Sequence, residues 1–302
     1  MLYDTVRGAG STKSLESNAA LAEGGGNQAT YGYLSAFDSD GFTTTDGSGS
    51  PNYYFNEDTK NFVSWNWEAG GTAVSNTDGT ITSSVSANPT AGFSIAAYTG
   101  NNTAEATIGH GLSQTPDWVI IKDRDNDATQ WVHNPRGAFD ANYYGYFDDQ
   151  AFSADSSNTF WYNPTASVVK VSAHSEVNAS ATDYIMYCFH SVEGYSKIGS
   201  YVGNEDADGT FIYTGFKPAY TLIKADGTKD WYAGDNKMNP YNVLGYMLQP
   251  NKTNAEDTSS DINVDYLSNG FKLRTVEDRI NGAYTYIYMA FAETPFKTAN
   301  AR

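Results

Sequence analysis

The sequence has little cysteine, little basic charge and no long apolar run, and each shortage excludes a class of protein. Cys188 is the only cysteine among 302 residues, so no disulfide can form within the chain and stability has to come from packing. Lys and Arg number 18 against 35 Asp and Glu, which gives a net charge of −17. Because nucleic acids and anionic membranes are bound by basic surfaces, we expect no nucleic-acid partner. No apolar run reaches the length of a membrane span, so we expect no membrane insertion.

The common motifs of metal sites and hydrolases are also missing. The chain contains no Cys-x-x-Cys, no His-x-x-x-His and no Gly-x-Ser-x-Gly. Its four histidines are scattered, and the start lacks the basic residues and apolar block of a signal peptide. We therefore expect no catalytic residues, no cofactor and no enzymatic activity.

What the sequence does have is a series of six-residue apolar and aromatic runs. They are found at residues 62–67 (Phe-Val-Ser-Trp-Asn-Trp), 184–189 (Tyr-Ile-Met-Tyr-Cys-Phe) and 286–291 (Tyr-Ile-Tyr-Met-Ala-Phe). Six residues is the length of a strand, and these residue types suit a pleated, half-buried surface. Clusters of Gly, Asn, Asp, Ser and Thr separate short apolar runs throughout, and few segments have a helical period. The pattern predicts an all-β chain.

A long internal repeat organises these runs. The residues Pro116, Trp118, Ile121 and Lys122 recur 102 positions later as Pro218, Tyr220, Ile223 and Lys224. The 184–189 and 286–291 runs have the same spacing, and each repeat of about 100 residues has room for roughly eight short strands. We predict tandem antiparallel β-sandwich modules, jelly-roll-like, two of them complete and one N-terminal module partial. Because Trp131 and Trp231 recur between the modules, we expect both in the core.

The predicted boundaries follow from this repeat. Residues 1–68 match only the second half of a module, 69–90 form a small polar linker with one short strand at 80–82, and 91–192 form a module. Residues 193–302 form the last module with a C-terminal tail. The partial module lacks its first strands, which would expose backbone and core side chains. Three explanations remain open: a neighbouring chain completes it, the other modules cover it, or the chain is part of a longer one.

One acidic loop has the residue types of a cation site. Asp123, Asp125 and Asp127 alternate as in a calcium loop, although the glycine and distal glutamate that usually follow are absent. A metal site is the functional interpretation, and a solvated turn is the alternative.

Two tyrosine clusters have the composition of a carbohydrate-binding surface. Tyr143, Tyr144 and Tyr146 form one, and Tyr53 and Tyr54 form the other, each among Asn, Asp and Gly. Flat aromatic rings beside amides and carboxylates can stack on and hydrogen-bond to sugars. The alternative is cross-strand aromatic pairing, which is common in sheets.

Several segments together resemble a known family. Residues 62–88, 91–94, 108–112, 194–201, 213–216, 267–274 and 291–302 are similar to repeat-containing tail-fibre and appendage proteins of marine tailed bacteriophages. The resemblance covers nearly the whole chain, although the related proteins begin well upstream of Met1.

This resemblance implies a virion appendage on the surface of the phage particle, of the tail-fibre or receptor-binding type. Its partners would be a host-surface glycan or protein, other virion proteins and itself, as a homo-oligomer, with trimers usual for tail fibres. Two alternatives remain: a purely structural virion protein (head decoration or tail scaffold), and a polysaccharide depolymerase, which would need two carboxylates in one groove.

Overall fold

Strands form most of the regular structure of this chain. The computed structural model describes residues 1–49, 54–139, 142–147, 151–259 and 261–294. Within these ranges the helices are single turns, which confirms the all-β fold class: α1 (Gln28–Tyr31), α2 (Arg136–Phe139) and α3 (Ser175–Asn178). The strands are β1 (Tyr33–Phe37), β2 (Phe42–Thr45), β3 (Val74–Asn76), β4 (Ser83–Asn88), β5 (Phe93–Thr99), β6 (Ala106–Gly109), β7 (Trp118–Asp123), β8 (Trp131–Asn134), β9 (Tyr143–Tyr146), β10 (Ser153–Ala154), β11 (Val168–Val171), β12 (Asp183–Phe189), β13 (Ser196–Val202), β14 (Phe211–Tyr213), β15 (Pro218–Ala225), β16 (Trp231–Asp235), β17 (Val264–Leu267), β18 (Gly270–Leu273) and β19 (Thr285–Ala292).

Two large antiparallel sheets form the centre of the molecule. One has eight strands in the order β10-β9-β8-β7-β12-β5-β4-β3, and the other has four in the order β13-β19-β15-β16. A two-stranded sheet, β11-β6, packs on the outer face of the first, and a three-stranded sheet, β14-β18-β17, packs on the outer face of the second. The strands β1 and β2 form a separate hairpin. The main architecture is therefore two sandwiches stacked back to back.

The interface between the two large sheets is the largest apolar cluster, here called the central core. Its buried members come from both sheets and from the N-terminal segment: Leu15, Phe93, Ile95, Trp118, Ile120, Trp131, Phe147, Phe152, Ile185, Tyr187, Phe189, Ile198, Tyr220, Leu222, Trp231, Ala233, Ile287, Met289 and Phe291. Trp131 and Trp231 are 1% and 0% exposed, which confirms their predicted core position.

This stacking explains why the apolar runs do not alternate with polar residues. In β12, Ile185 and Tyr187 face the central core, whereas Tyr184 and Met186 face the outer core beneath β6 and β11. The strand β19 is buried on both faces in the same way. A strand covered on both faces needs apolar residues at every position, and so its sequence reads as a continuous hydrophobic run.

The two halves repeat one topology and many of its side-chain contacts. The strands β5, β12, β7 and β8 of the first half pair in the same order as β13, β19, β15 and β16 of the second. Tyr98 stacks on Tyr184 with ring centroids 5.2 Å apart, and Tyr201 stacks on Tyr286 at 5.0 Å. The repeat found in the sequence is therefore also a repeat in space.

Residues 69–90 differ from the expected linker. They contain β3 and β4, which extend the eight-stranded sheet beyond β5, and Ile81 is buried beside Ile108. The predicted strand at 80–82 is only an isolated bridge at Ile81. Serine-rich strands carry little hydrophobic signal, because their stability comes from ladder hydrogen bonds and small buried hydroxyls rather than large side chains.

The run at residues 62–67 is not a strand, contrary to the expectation. Phe62 and Val63 are exposed, whereas Trp65 and Trp67 pack against Tyr220 at ring-centroid distances of 5.1 and 5.6 Å. This segment lies across the central core as irregular chain, because no strand is beside it to pair with. Its two tryptophans pack against the central core although the segment forms no β-ladder hydrogen bonds.

Buried ion pairs fix the rest of the N-terminal segment to the eight-stranded sheet. The guanidinium of Arg7 donates to Asp4 at 2.6 Å, and the hydroxyl of Tyr187 donates to the same carboxylate at 2.7 Å. Glu23 pairs with Arg124 at the end of β7. Leu2, Leu15, Trp65 and Trp67 pack in or against the central core, so these parts of the N-terminal segment contact the sheets of the other modules. No helix in the described ranges is long and apolar enough to cross a membrane.

Candidate ligand-binding surface

The tyrosines of β9 serve mainly as packing residues. All three are half-buried, and they alternate between the two faces of the sheet. Tyr143 stacks on Phe139 at 4.3 Å, whereas Tyr144 and Tyr146 pack on Phe160 at 4.8 and 6.3 Å. No single flat surface contains all three rings, so this geometry favours a packing role, although the aromatic partners lie in α2 and in a loop rather than on neighbouring strands.

The second tyrosine cluster also has an internal role where the structure describes it. Tyr54 is half-buried, lies 5.4 Å from the ring of Tyr31 and donates its hydroxyl to the carbonyl of Gly26 at 2.8 Å. Tyr53 lies outside the described residues.

The three aspartates of the acidic loop point to three different places. The carboxylate of Asp123 accepts bonds from the backbone N–H groups of residues 125 and 126 and from the Asn126 amide. Asp125 accepts from the N–H of Asp183, and Asp127 accepts from the N–H of Ala22. In the described ranges, no three His, Cys, Asp or Glu side chains come together as a metal-binding group. The contacts are those of a turn that ties neighbouring segments together.

Burial keeps His110, His133 and Cys188 in their uncharged forms. Burial lowers the pKa of His133 to about 3 and that of His110 to about 4, so both are neutral near pH 7. Burial raises the pKa of the Cys188 thiol, which keeps this residue protonated and inert.

Among the described residues, the two most exposed aromatic side chains, those of Tyr241 and Tyr213, lie elsewhere, in the second half of the chain. Tyr213 is 66% exposed and Phe211 is 42% exposed, both on β14, and Tyr241 is 80% exposed on the loop after β16. On β14 the residue between the two aromatics, Ile212, is buried, so Phe211 and Tyr213 point outward together.

A groove with Tyr213 in its wall lies between the start of β13 and the end of β14. Its volume is about 310 Å³, and it is lined by Ser191, Glu193, Gly194, Ser196, Lys197, Tyr213, Thr214 and Gly215. It combines an exposed aromatic ring with two oppositely charged side chains, Lys197 and Glu193. We call it the Tyr213 groove.

A second groove is lined mostly by polar residues. It lies at one end of the eight-stranded sheet, has a volume of about 380 Å³ and is lined by Ser75, Thr82, Ser83, Ser84, Ala97, Tyr98, Thr99, Arg124 and Asp183. Its one aromatic residue, Tyr98, is only 4% exposed and offers no face for stacking.

The Tyr213 groove was missed in the sequence, yet a signal for it exists. The pairing of β6 with β11 and of β14 with β18 aligns Phe211 with Thr107 and Tyr213 with Gly109. Two aromatic residues thus replace a threonine and a glycine at repeated positions. A departure of this kind from the repeat marks a surface where the second half differs from the first.

Comparison with known proteins assigns the chain to a family. The model of a domain family of unknown function, DUF7483, matches residues 1–295. The chain belongs to this family. No curated protein and no solved structure matches the chain. The function of this DUF7483 protein is therefore inferred from its geometry and its sequence.

Proposed function

We propose that this chain is a bacteriophage virion appendage protein, of the tail-fibre or receptor-binding type, that attaches the particle to a host-surface glycan. The observation that carries the proposal is the Tyr213 groove. A ring that is 66% exposed stands beside Lys197, Glu193 and the backbone of residues 214–215. Sugars offer apolar C–H faces for stacking and hydroxyls for hydrogen bonds, and this groove provides partners for both.

The remainder of the molecule supports a role as a scaffold. A disulfide-free stack of sheets with a large central core holds Tyr213 and Lys197 of the groove on regular strands, and strands position binding residues more rigidly than long loops do. One shallow groove binds a sugar weakly, but an appendage with many copies gains avidity from their number. The sequence resemblance to phage appendage proteins is in accord with this role and with a location on the virion surface.

The test compares two tyrosine variants. We expect the wild-type protein to bind immobilised lipopolysaccharide, with glucose, galactose and N-acetylglucosamine as soluble competitors, and Tyr213→Ala to weaken binding at least about tenfold. Tyr241→Ala is the matched control, because Tyr241 is even more exposed, at 80%, but lies on another surface. Equal binding by Tyr213→Ala and wild type, or no saturable binding by wild type, contradicts the proposal.

A purely structural virion protein is the second candidate, and the open edge of β13 favours it, since edge strands serve as contact sites for other chains.

A depolymerase has less support. Hydrolysis of a glycosidic bond uses two carboxyl groups, and each of the two grooves has only one acidic residue in its lining.

A further inference from the structure

The two halves of the chain differ at one side of their sandwiches. In the first half, residues 74–88 close that side completely. The strand β4 pairs with β5, so that Ser84 lies opposite Ala97 and Ser86 opposite Ile95. Just before it, Thr80 and Thr107 exchange hydrogen bonds, and Ile81 bridges to Ile108 of β6. Both sheets of the first sandwich are thus covered at this edge.

In the second half, no strand in the described part of the chain pairs with the corresponding edge. The chain passes from β12 into β13 through residues 190–195, so it has no segment equivalent to 74–88. By the pairing registers, Ser200 and Ile198 of β13 take the places of Ala97 and Ile95. The strand β13 is therefore an edge of the four-stranded sheet where β5 is an interior strand.

The side chains at this edge are not shaped for a second segment like 74–88. In the first half, Gly109 leaves room for Asn76: a Cβ atom there would lie 1.8 Å from the Asn76 side chain. The second half has Tyr213 in place of Gly109 and Phe211 in place of Thr107, both exposed. These rings occupy the path that Asn76 and Thr80 follow in the first half. A partner that pairs with β13 alone fits better than one that covers both sheets.

The backbone groups of β13 that face this open side form a self-complementary set. Four of the outward groups are bonded: the N–H and the carbonyl of Ser196 to Val192, the N–H of Ile198 to Ser191, and the carbonyl of Val202 to Thr210. Alternate residues of a strand point their backbone groups to opposite sides, so the groups of Ser200 face outward as well. The carbonyl of Ile198, both groups of Ser200 and the N–H of Val202 thus have no partner in the described part of the chain.

We propose that a second copy of this chain pairs with β13 in antiparallel fashion, with the two-fold axis at Ser200. In this register the N–H of Ser200 donates to the carbonyl of Ser200 of the partner subunit. The N–H of Val202 donates to the carbonyl of Ile198 of the partner subunit. With the two symmetric equivalents, every one of the four open groups is used, and the two groups left over are those already bonded to Ser191 and Thr210.

The side chains agree with this register. Val202, 64% exposed, comes to lie opposite Ile198 of the partner subunit, a β-branched pair that favours strand pairing. The paired stretch ends at Ile198, before Lys197 and Ser196 of the Tyr213 groove. The two four-stranded sheets become one continuous eight-stranded sheet, with an isologous interface.

Analytical ultracentrifugation from low to high micromolar concentration tests the pairing. We expect a monomer–dimer equilibrium for wild type and at least about a tenfold higher dissociation constant for Val202→Lys. Ser200→Pro, which removes an outward N–H from an edge strand, provides a second variant with the same expectation. Val74→Lys is the matched control, because Val74 is 65% exposed on β3, the edge strand of the other large sheet. Hydrogen exchange adds a local readout: the amides of Ser200 and Val202 should gain protection as concentration rises.

Two results overturn the proposal: a wild-type chain that stays monomeric, and dimers that survive in Val202→Lys, whether or not Val74→Lys loses them. If the chain stayed monomeric and the amide of Ser200 gained protection only after another protein was added, the occupant of β13 would be that protein. This result would equally refute self-pairing. The inference does not depend on host attachment, because a monomeric Val202→Lys protein can still be tested for saccharide binding.

Discussion

Buried polar side chains in this chain mostly satisfy backbone groups rather than one another. Lys122 and Lys224 occupy the same place in the two halves, and each donates its ammonium to carbonyl oxygens of the following turn, Thr129 in one case and Ala225 and Gly227 in the other. Burial lowers the pKa of Lys122 to about 8. The lysine that recurs in the sequence repeat thus stabilises a turn by binding its carbonyl oxygens.

His133 differs, because one of its ring nitrogens is among the buried polar atoms that have no hydrogen-bond partner in the described part of the chain. It lies within the central core between Phe147, at 4.4 Å, and Trp231, at 5.0 Å. Its Nδ1 accepts from the indole N–H of Trp118, so its proton is on Nε2, which makes no hydrogen bond. An imidazolium at this position would lose its hydration without gaining any acceptor.

We therefore expect this residue to make the protein less stable as the pH is lowered. In the unfolded chain the pKa of His133 takes its ordinary value of 6.5, and in the folded protein it is about 3. Between these values the unfolded state binds a proton that the folded state does not, so the free energy of unfolding decreases as pH falls from about 6.5 towards 3 and is unaffected above that window. The limit of the effect is about 1.4 kcal/mol per pH unit.

The measurement is urea unfolding at pH 7 and pH 5 for wild type and His133→Gln, a change that keeps an acceptor for Trp118. Wild type should lose up to about 2 kcal/mol more than the variant over this interval. The carboxylates and His110 are present in both proteins, so their contributions to the pH dependence cancel in the comparison. An identical pH dependence of the two proteins would show that His133 does not titrate as a buried neutral group.

At the scale of elements, the best-predicted strands are those buried on both faces. Residues 184–189 and 286–291 are continuous apolar runs because each strand separates two cores. The 62–67 run has the same composition, but whether an aromatic run forms a strand depends on a neighbouring chain segment that its own residues do not specify. The sequence did not predict the strands β3 and β4 for the opposite reason, since their stability comes from pairing at the edge of β5 rather than from their serine side chains.

The candidate site was harder to predict than the fold. Tyr143 and Tyr144 stand in a polar neighbourhood of the sequence, but β9 is an interior strand of the sheet and directs one ring to each face. Tyr213 belongs to a short aromatic stretch, Phe211-Ile-Tyr213, that the sequence does not distinguish from a core strand, and it is exposed because no strand in the described part of the chain lies on the outer side of β14. Comparing the two repeats residue by residue was the one route to it, through the replacement of Gly109.

A buried asparagine closes the equivalent turn in each half, and its loss should be strongly destabilising. The amide of Asn281 donates to Thr275, Asn204 and Asp206, and its carbonyl accepts from the N–H of Asn204. Asn178 makes the corresponding bonds to residues 101 and 103. Both side chains are 0% exposed.

We expect Asn281→Ala to lower the free energy of unfolding by about 3 kcal/mol, because buried carbonyl oxygens lose their donor. Asn178→Ala should cost somewhat less, since it lacks the bond that Asn281 makes to Thr275. Chemical denaturation measures both, with the exposed Asn66→Ala expected within about 0.5 kcal/mol of wild type. A loss below that of Asn66→Ala would mean that water replaces the lost bonds.

At the scale of the whole molecule, the repeat does not produce two independent units. The central core joins the faces of both large sheets, and Trp231 of the second half packs against Trp118, Phe147 and Phe152 of the first, at 5.8, 5.2 and 5.9 Å. Its indole N–H donates to the carbonyl of Tyr146. Each half presents to the other a face as apolar as a domain interior, which favours a single cooperative unit over separate domains.

The final prediction follows from that arrangement. We expect Trp231→Ala to cost about 3–5 kcal/mol, because it leaves a large cavity between the sheets. Hydrogen exchange should show β12 in the first half and β19 in the second losing protection together, in a single urea transition. The matched variant is Tyr241→Ala, which removes an aromatic ring that is 80% exposed and should leave both strands unchanged. If β19 lost protection while β12 kept it, the two sandwiches would be separate folding units in contact, and the central core would be an interface rather than a shared interior.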